Sequence, residues 1–300
     1  MSKAGYSSEI RSTQADPRGI QVASPELRDW IIAQAESGCQ PADVLAAMLA
    51  TGWHENVAIR AMEDTLSAHL ANKARMAELR EGSAVPVPLL AEHPSHLNGG
   101  DRQVQVLMQM DAPRVVVLGG FLSHEECDEL VALAAKRLTR SETVVNETGG
   151  SEVNHARTSD GMFFSRGEFE LCTRIERRIA TLLNWPVENG EGLQVLRYLP
   201  GAEYQAHHDY FDPLQPGAST ILARGGQRVG TLVMYLNTPE KGGGTTFPDV
   251  GLEVGPIKGN AVFFSYDRPD AATLTLHAGA PVIAGEKWVA TKWLRQGEFN

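Results

Sequence analysis

Residues 204–209 read Tyr-Gln-Ala-His-His-Asp, which places two of the chain's 9 histidines beside an aspartate. Along an extended strand successive side chains point to opposite faces, so His207 and Asp209 project together while His208 points away. An imidazole and a carboxylate on one face can grip a divalent metal. Two histidines and one carboxylate on one face of an octahedral ion leave three positions open, the arrangement of non-haem Fe(II) oxygenases. The third ligand must then be a histidine from elsewhere in the chain. His124 stands in a helical stretch and His155 in a polar loop, whereas His277 ends a predicted strand, Thr-Leu-Thr-Leu-His, and is the best candidate. His208 is assigned no role.

Ten residues past His277, Lys287 falls in an amphipathic strand whose alternate positions, Val289, Thr291 and Trp293, share its face. If that face is inward, an ammonium group stands inside a barrel and needs an anion beside it. A dicarboxylate cosubstrate would supply one. The plainer alternative is a lysine at a strand end whose stem lies along apolar surface while its charge reaches water.

The elements that must position these residues can be read from patterning. The 300 residues make one large domain or two modest ones, and 42% hydrophobic with 21% charged residues is ordinary for a globular protein. A formal net charge of -10 gives no electrostatic reason for binding nucleic acid or an anionic membrane. Cys39, Cys127 and Cys172 are far apart and draw neither a disulfide framework nor a zinc spacing, which fits a reducing cytoplasm. The first residues lack the apolar core of a signal peptide, and no run approaches the roughly 20 apolar residues of a membrane helix. A cytoplasmic, soluble protein is expected.

Residues 1–23 are polar and irregular, and disorder is expected there. A module of three helices follows over 24–82: Ser24 and Pro25 cap the first, Pro41 opens the second, and Val57, Ile59, Met62, Leu66 and Leu70 stripe the third. Residues 83–103 are rich in proline, glycine and polar residues and read as a linker. From 104 onward the pattern turns to short strands. Two capping boxes, Ser123–Glu126 and Ser165–Glu168, open helices that would brace a sheet. Beyond residue 190 only strand signals separated by turns remain, which suggests a sandwich or jelly roll. Polar, glycine-bearing stretches at 143–160 and 212–227 have the composition of lids.

Roughly from residue 114 to 300 the chain resembles the catalytic domain of the prolyl 4-hydroxylases, within the Fe(II)/2-oxoglutarate-dependent dioxygenases. The resemblance is carried in order by FLSHEECDELVALA, ARTSDGMFFSRGEFELCTRIERRIA, LQVLRYLPGAEYQAHHDYF, GTLVMYLNTPEKGGGTTFPDVGLEVGPIKGNAVFF and LHAGAPVIAGEKWVATKWLR. It implies an α+β fold whose double-stranded β-helix, or jelly roll, is braced by helices and here preceded by the three-helix module. It also implies that His207, Asp209 and His277 hold Fe(II), and that Lys287 takes the distal carboxylate of 2-oxoglutarate. Tyr198, Thr231 and Tyr235 match positions lining the cosubstrate pocket, with Tyr235 hydrogen-bonding that same carboxylate. Either tyrosine also reads as core packing. Arg157 matches a position near substrate, or a structural ion pair. The chain departs from the family pattern at Gly244, where a glutamate is frequent, and at Ser265 and Tyr266, where a tryptophan often follows the Phe-Phe pair.

The implied reaction is hydroxylation of a prolyl residue in a peptide or protein, consuming O2 and 2-oxoglutarate, releasing succinate and CO2, with ascorbate as reductant. A free amino acid or small metabolite is the alternative substrate. From a different class comes a non-catalytic binding protein on a jelly-roll scaffold. The helical module lies outside the resemblance. It reads as a packing appendage or as a site for a partner or substrate protein, and its presence favours a polypeptide substrate. No nucleic-acid or membrane partner is expected.

Overall fold

Ser24 and Pro25 open the first helix of the computed structural model, α1 (Pro25–Glu36). The serine hydroxyl accepts the Leu27 N–H at 3.3 Å, and proline suits the first turn because its missing donor has no partner there anyway. Pro41 starts α2 (Pro41–Ala50) in the same way, and α3 runs over Glu55–Arg80. Leu27, Ile31, Val44, Met48, Trp53 and Ala58 meet in a separate small core. Residues 1–80 and 81–300 form two compact units. The structure describes residues 14–15, 21–80, 82–91, 93–141, 143–144, 151–152 and 158–300. Most of the 1–23 stretch expected to be disordered lies outside them. Its described residues instead pair as two short antiparallel strands, Gln14–Ala15 with Gln21–Val22.

The second unit begins earlier than the patterning suggested. The stretch read as a linker is stitched to the second unit: Ser83 N–H donates to Asp267 O at 2.8 Å and Val87 N–H to Leu183 O at 3.1 Å. Its β1 (His96–Asn98) pairs with β2 (Gln103–Asp111), with Leu97 buried. Proline and glycine punctuate this stretch because it must turn across a sheet, not because it is free of one.

A nine-stranded antiparallel sheet forms the body of the unit. Besides β1 and β2 it contains β3 (Arg114–Gly119), β4 (Thr139–Arg140), β5 (Asp160–Phe164), β6 (Leu193–Tyr198), β8 (Arg228–Tyr235), β11 (Ala261–Ser265) and β13 (Lys287–Arg295). The spatial order is β1-β2-β3-β11-β8-β13-β6-β5-β4. A smaller sheet of β7 (Tyr204–His207), β12 (His277–Gly279), β9 (Thr245–Phe247) and β10 (Leu252–Val254), in the order β7-β12-β9-β10, completes the jelly roll.

Strand alternation sorts the side chains between two cores. From one face of the large sheet Leu232, Met234, Phe263, Ala290 and Leu294 meet α4 (His124–Ala135) and α5 (Glu170–Leu183). From the other, Leu196, Tyr235, Val262, Phe264 and Val289 meet Phe247 and Val254 of the small sheet. A central strand covered on both faces has no side turned to solvent, so all nine residues of β13 are buried. The capping box at Ser123 closes as read, with the Ser123 hydroxyl on the Glu126 N–H and the Glu126 carboxylate on the Ser123 N–H. Leu171, Ile175, Ile179 and Leu182 lie on one stripe of α5, each burial stabilising by about 1.5–3 kcal/mol. A buried ion pair, Lys292 Nζ to Glu176 at 2.6 Å, pins β13 to that helix.

Candidate metal centre

β7 and β12 pair antiparallel with His207 directly opposite His277. Cross-strand partners share a face, which brings the two imidazole centroids to 4.3 Å. The strand ends at His207, so Asp209 reaches the same place from a bend and not by strand alternation. His207 Nε2 lies 3.5 Å from Asp209 Oδ1 and His277 Nε2 lies 3.4 Å from Oδ2. One donor atom from each of the three falls within 4.8 Å of the others.

The ring orientations are set by backbone. His207 Nδ1 is 2.9 Å from Gln205 O, and His277 Nδ1 is 2.9 Å from Thr275 O. A carbonyl only accepts, so each Nδ1 carries the proton and each Nε2 turns a lone pair toward the cluster. Tyr204 stacks on His207 with centroids 3.7 Å apart and fixes that ring from its other side. Burial pushes His277 down to about 4, with His207 adding to the effect. Burial alone would raise Asp209, but the two imidazoles outweigh it and hold its carboxyl well below the usual range. At neutral pH the site therefore presents an ionised carboxylate and a neutral imidazole at His277, the states that ligate a divalent ion. A carboxylate between two imidazoles, with open cavity beside them, fits a hard to borderline transition metal such as Fe(II).

Thr231 Oγ1 donates to Asp209 Oδ2 at 2.7 Å, and the Tyr266 hydroxyl lies 2.9 Å from the same Oγ1. Across the cavity Lys287, the first residue of β13, is 4% exposed and pushed down to about 8 by burial. Among the described residues no acidic group forms an ion pair with it. Its Nζ stands 5.4 Å from the Tyr198 ring centroid and 6.0 Å from that of Tyr235. Lys287, Val289, Thr291 and Trp293 line the cavity from alternate positions of β13, joined by Tyr198, Thr231 and Thr245.

Tyr235 is placed differently from expectation. It is fully buried behind the cavity wall, and its hydroxyl donates to Thr245 Oγ1 at 2.8 Å. Thr245, not Tyr235, lines the cavity, although Tyr235 shares a face of β8 with Thr231 and Val233, which line it too. Neither Thr245 nor Tyr204 stood out in the sequence, since a threonine and a tyrosine in strands carry no spacing signal. A buried Glu191 carboxylate gripped by Arg228 Nε at 2.6 Å and Arg295 Nε at 2.6 Å was also invisible there. Arg228 lies over Trp293 at 4.0 Å, so this cluster backs one wall of the cavity.

His208 turns from the metal trio and stacks on Tyr210 at 4.6 Å. At Gly244 the Glu253 side chain occupies the space a side chain would take. Arg157 and His155 lie outside the described residues, as does most of 143–160. The stretch 212–227 carries a short helix, α6 (Ala218–Leu222), and Gln227 at its end exchanges hydrogen bonds with the Phe211 backbone, so it is a packed segment in this state.

Residues 193–295 match the model of the 2OG-Fe(II) oxygenase superfamily. Prolyl 4-hydroxylase 2 of Arabidopsis thaliana is 41% identical over 211 residues, 63% of this chain and 69% of that protein. Prolyl 4-hydroxylase 5 of the same plant is 40% identical over 223 residues, 67% of this chain and 74% of that one. Among solved structures, a viral collagen prolyl hydroxylase from Paramecium Bursaria Chlorella virus-1 in its 2OG complex has 33% identity. It superposes with a TM-score of 0.47 over 60% of this chain and 95% of its own.

Proposed function

The chain belongs to the prolyl 4-hydroxylases of the 2OG-Fe(II) oxygenase superfamily, and from that premise we propose that it hydroxylates prolyl residues of a peptide or protein, with His207, Asp209 and His277 as the iron ligands. It is a 2-oxoglutarate-dependent dioxygenase. The observation that carries the residue assignment is the convergence of the three donors in one cavity with a buried lysine that pairs with no acid among the described residues.

Fe(II) with 2-oxoglutarate and O2 supplies oxidative decarboxylation to succinate and CO2, and inserts the second oxygen atom into a substrate C–H bond. The protein's part is positional. His207 and His277 present Nε2 because Gln205 O and Thr275 O hold their protons on Nδ1. His207, Asp209 and His277 would hold the ion with three protein groups, few enough to let cosubstrate and O2 bind it as well. Lys287 is assigned to the distal carboxylate of 2-oxoglutarate, with Thr245 and Tyr198 beside it, and Tyr235 acts by orienting the Thr245 hydroxyl. The apolar walls, Leu196, Val233 and Val289, keep water from the reacting centre.

Arg157 is assigned to the substrate side, and ascorbate to re-reducing iron after turnovers without substrate. A polypeptide substrate also gives the helical unit a role as a docking site for that substrate or a partner protein. The decisive experiment incubates the protein with Fe(II), ascorbate, 2-oxoglutarate and a panel of proline-containing peptides and free amino acids. Mass spectrometry should find one added oxygen on a peptidyl proline, with succinate formed in step. Succinate formation coupled instead to an oxidised free amino acid would overturn the polypeptide assignment.

A further inference from the structure

The hydrogen-bond chain behind Asp209 has a direction that follows from donor counting. An ionised carboxylate only accepts, so the single hydroxyl proton of Thr231 must point at Asp209 Oδ2 across 2.7 Å. The Thr231 oxygen can then only accept from its other neighbour, and the Tyr266 hydroxyl, 2.9 Å away, must donate to it. The chain therefore runs from Tyr266 through Thr231 to Asp209. All three groups are buried, at 2%, 0% and 6% exposure, so water does not compete for these bonds.

Several features keep Tyr266 in place. Its N–H donates to Val229 O at 3.1 Å, which holds it beside β8. Its ring meets Tyr210 edge-on at 6.0 Å and lies 6.3 Å from that of Phe264. Burial, and then the Asp209 charge, push its pKa well above that of an ordinary phenol, so it keeps its proton and remains a donor. Thr231 is itself central in β8, paired with Phe264 on one side and Trp293 on the other, and has no room to move.

We propose that Tyr266 is a positioning residue of the metal centre, acting through Thr231 to lock the Asp209 carboxylate. Left alone, a threonine hydroxyl in a strand rotates among three staggered positions, and some turn its proton away from Asp209. The Tyr266 donor closes those off. The carboxylate is held in one rotamer, and a lone pair of Oδ2 is taken by hydrogen bonding, which favours grip of the ion through a single oxygen. Single-oxygen ligation is what preserves the open positions for 2-oxoglutarate and O2. The inference rests on the reading of the trio as metal ligands.

Co(II) is a redox-stable probe whose visible d–d absorption reports coordination number, and titrating it into the full chain tests the inference without turnover. The variants are Tyr266→Phe, which keeps the ring and its packing, Thr231→Val, Thr231→Ser, and Tyr266→Phe combined with Thr231→Val. Loss of an outer partner of a metal ligand typically costs about 10- to 100-fold in affinity, which is the expectation for Thr231→Val, and roughly 3- to 10-fold for the more remote Tyr266→Phe. Tyr266→Phe should also shift the Co(II) spectrum, and Thr231→Ser should recover most of what Thr231→Val loses. In the Thr231→Val background Tyr266→Phe should add nothing, because its path to Asp209 is already cut. Equal weakening by Tyr266→Phe in both backgrounds, or unchanged affinity and spectrum in the single variant, overturns the inference. Wild-type protein that takes up no Co(II) removes the metal reading itself, an outcome distinct from either.

Discussion

At the scale of single residues, the cavity is governed by one cation held in advance of its partner. Lys287 is buried away from water and pairs with no acid among the described residues, so its ammonium form is destabilised until a carboxylate arrives. Replacing it with methionine should weaken 2-oxoglutarate binding by about 2–5 kcal/mol, roughly thirtyfold to a few thousandfold, read by anaerobic titration of the Fe(II) protein. The same replacement should stabilise the cosubstrate-free protein at pH 7, by an amount on the order of 3 kcal/mol. The sign reverses the usual expectation for a charged residue. Below pH 8 both folded and unfolded states carry the proton, and the burial cost is present in full. Between about 8 and 10.5 the folded state has shed a proton that the unfolded state keeps, so the wild type's stability rises with pH while that of Lys287→Met does not. Over the same window the dissociation constant for 2-oxoglutarate should climb, by roughly tenfold per pH unit above 8, because only the protonated lysine binds a dianion. A flat pH profile would mean another group holds that carboxylate. His277→Ala should abolish stoichiometric metal uptake, since no other described imidazole reaches its place. The His207-Asp209 pair was legible because two ligands two residues apart carry a local signal. Tyr266 and Thr245 were not, because a hydroxyl acquires its role only from the atom across the fold.

At the scale of elements, β13 does most of the placing. Its inner positions supply Lys287, Thr291 and Trp293 to the cavity, while its outer positions supply Trp288, Ala290 and Lys292 to the layer under α5. The Lys292–Glu176 pair lies in that layer with both side chains 2% exposed. Removing one partner strands the other charge, so Lys292→Met should lower stability by about 3–5 kcal/mol in a urea melt. Lys292→Met combined with Glu176→Met should recover most of it. Additive losses in the double variant would show that the two do not act as a pair. Alternation along β13 could be read from its sequence. Which face met helices and which met the cavity could not, because both faces are buried and each carries a lysine among apolar residues, Lys287 on one and Lys292 on the other. The same difficulty hid the early start of the unit. β1 has three residues, too few to declare a strand until Leu97 is seen in the core.

At the scale of the whole molecule, every residue of the metal trio and its cavity lies in the unit from residue 81 onward. A protein trimmed to that unit should fold and bind metal and 2-oxoglutarate with affinities within about twofold of the full chain, since domains with their own core fold alone. Peptide KM is the quantity that should move. A rise on trimming, with unchanged affinity for 2-oxoglutarate, would assign the helical unit to polypeptide docking. Unchanged peptide KM would leave it without a part in substrate capture. The three-helix pattern itself was readable, because Pro25, Pro41 and the apolar stripe are local signals.

The sequence alone determined the chemistry to be sought. Two ligands at fixed spacing, a lysine ten residues beyond a third histidine, and a train of short strands depend on local geometry, which is written locally. Only tertiary structure decided how that chemistry is held. The pairing of β7 with β12 sets His207 opposite His277. The closed sheets bury Lys287 with no acid beside it among the described residues, and Tyr266 reaches Asp209 through Thr231. Each of these depends on contacts between segments tens of residues apart, and their energies come from exclusion of water that exists only once the two sheets have closed.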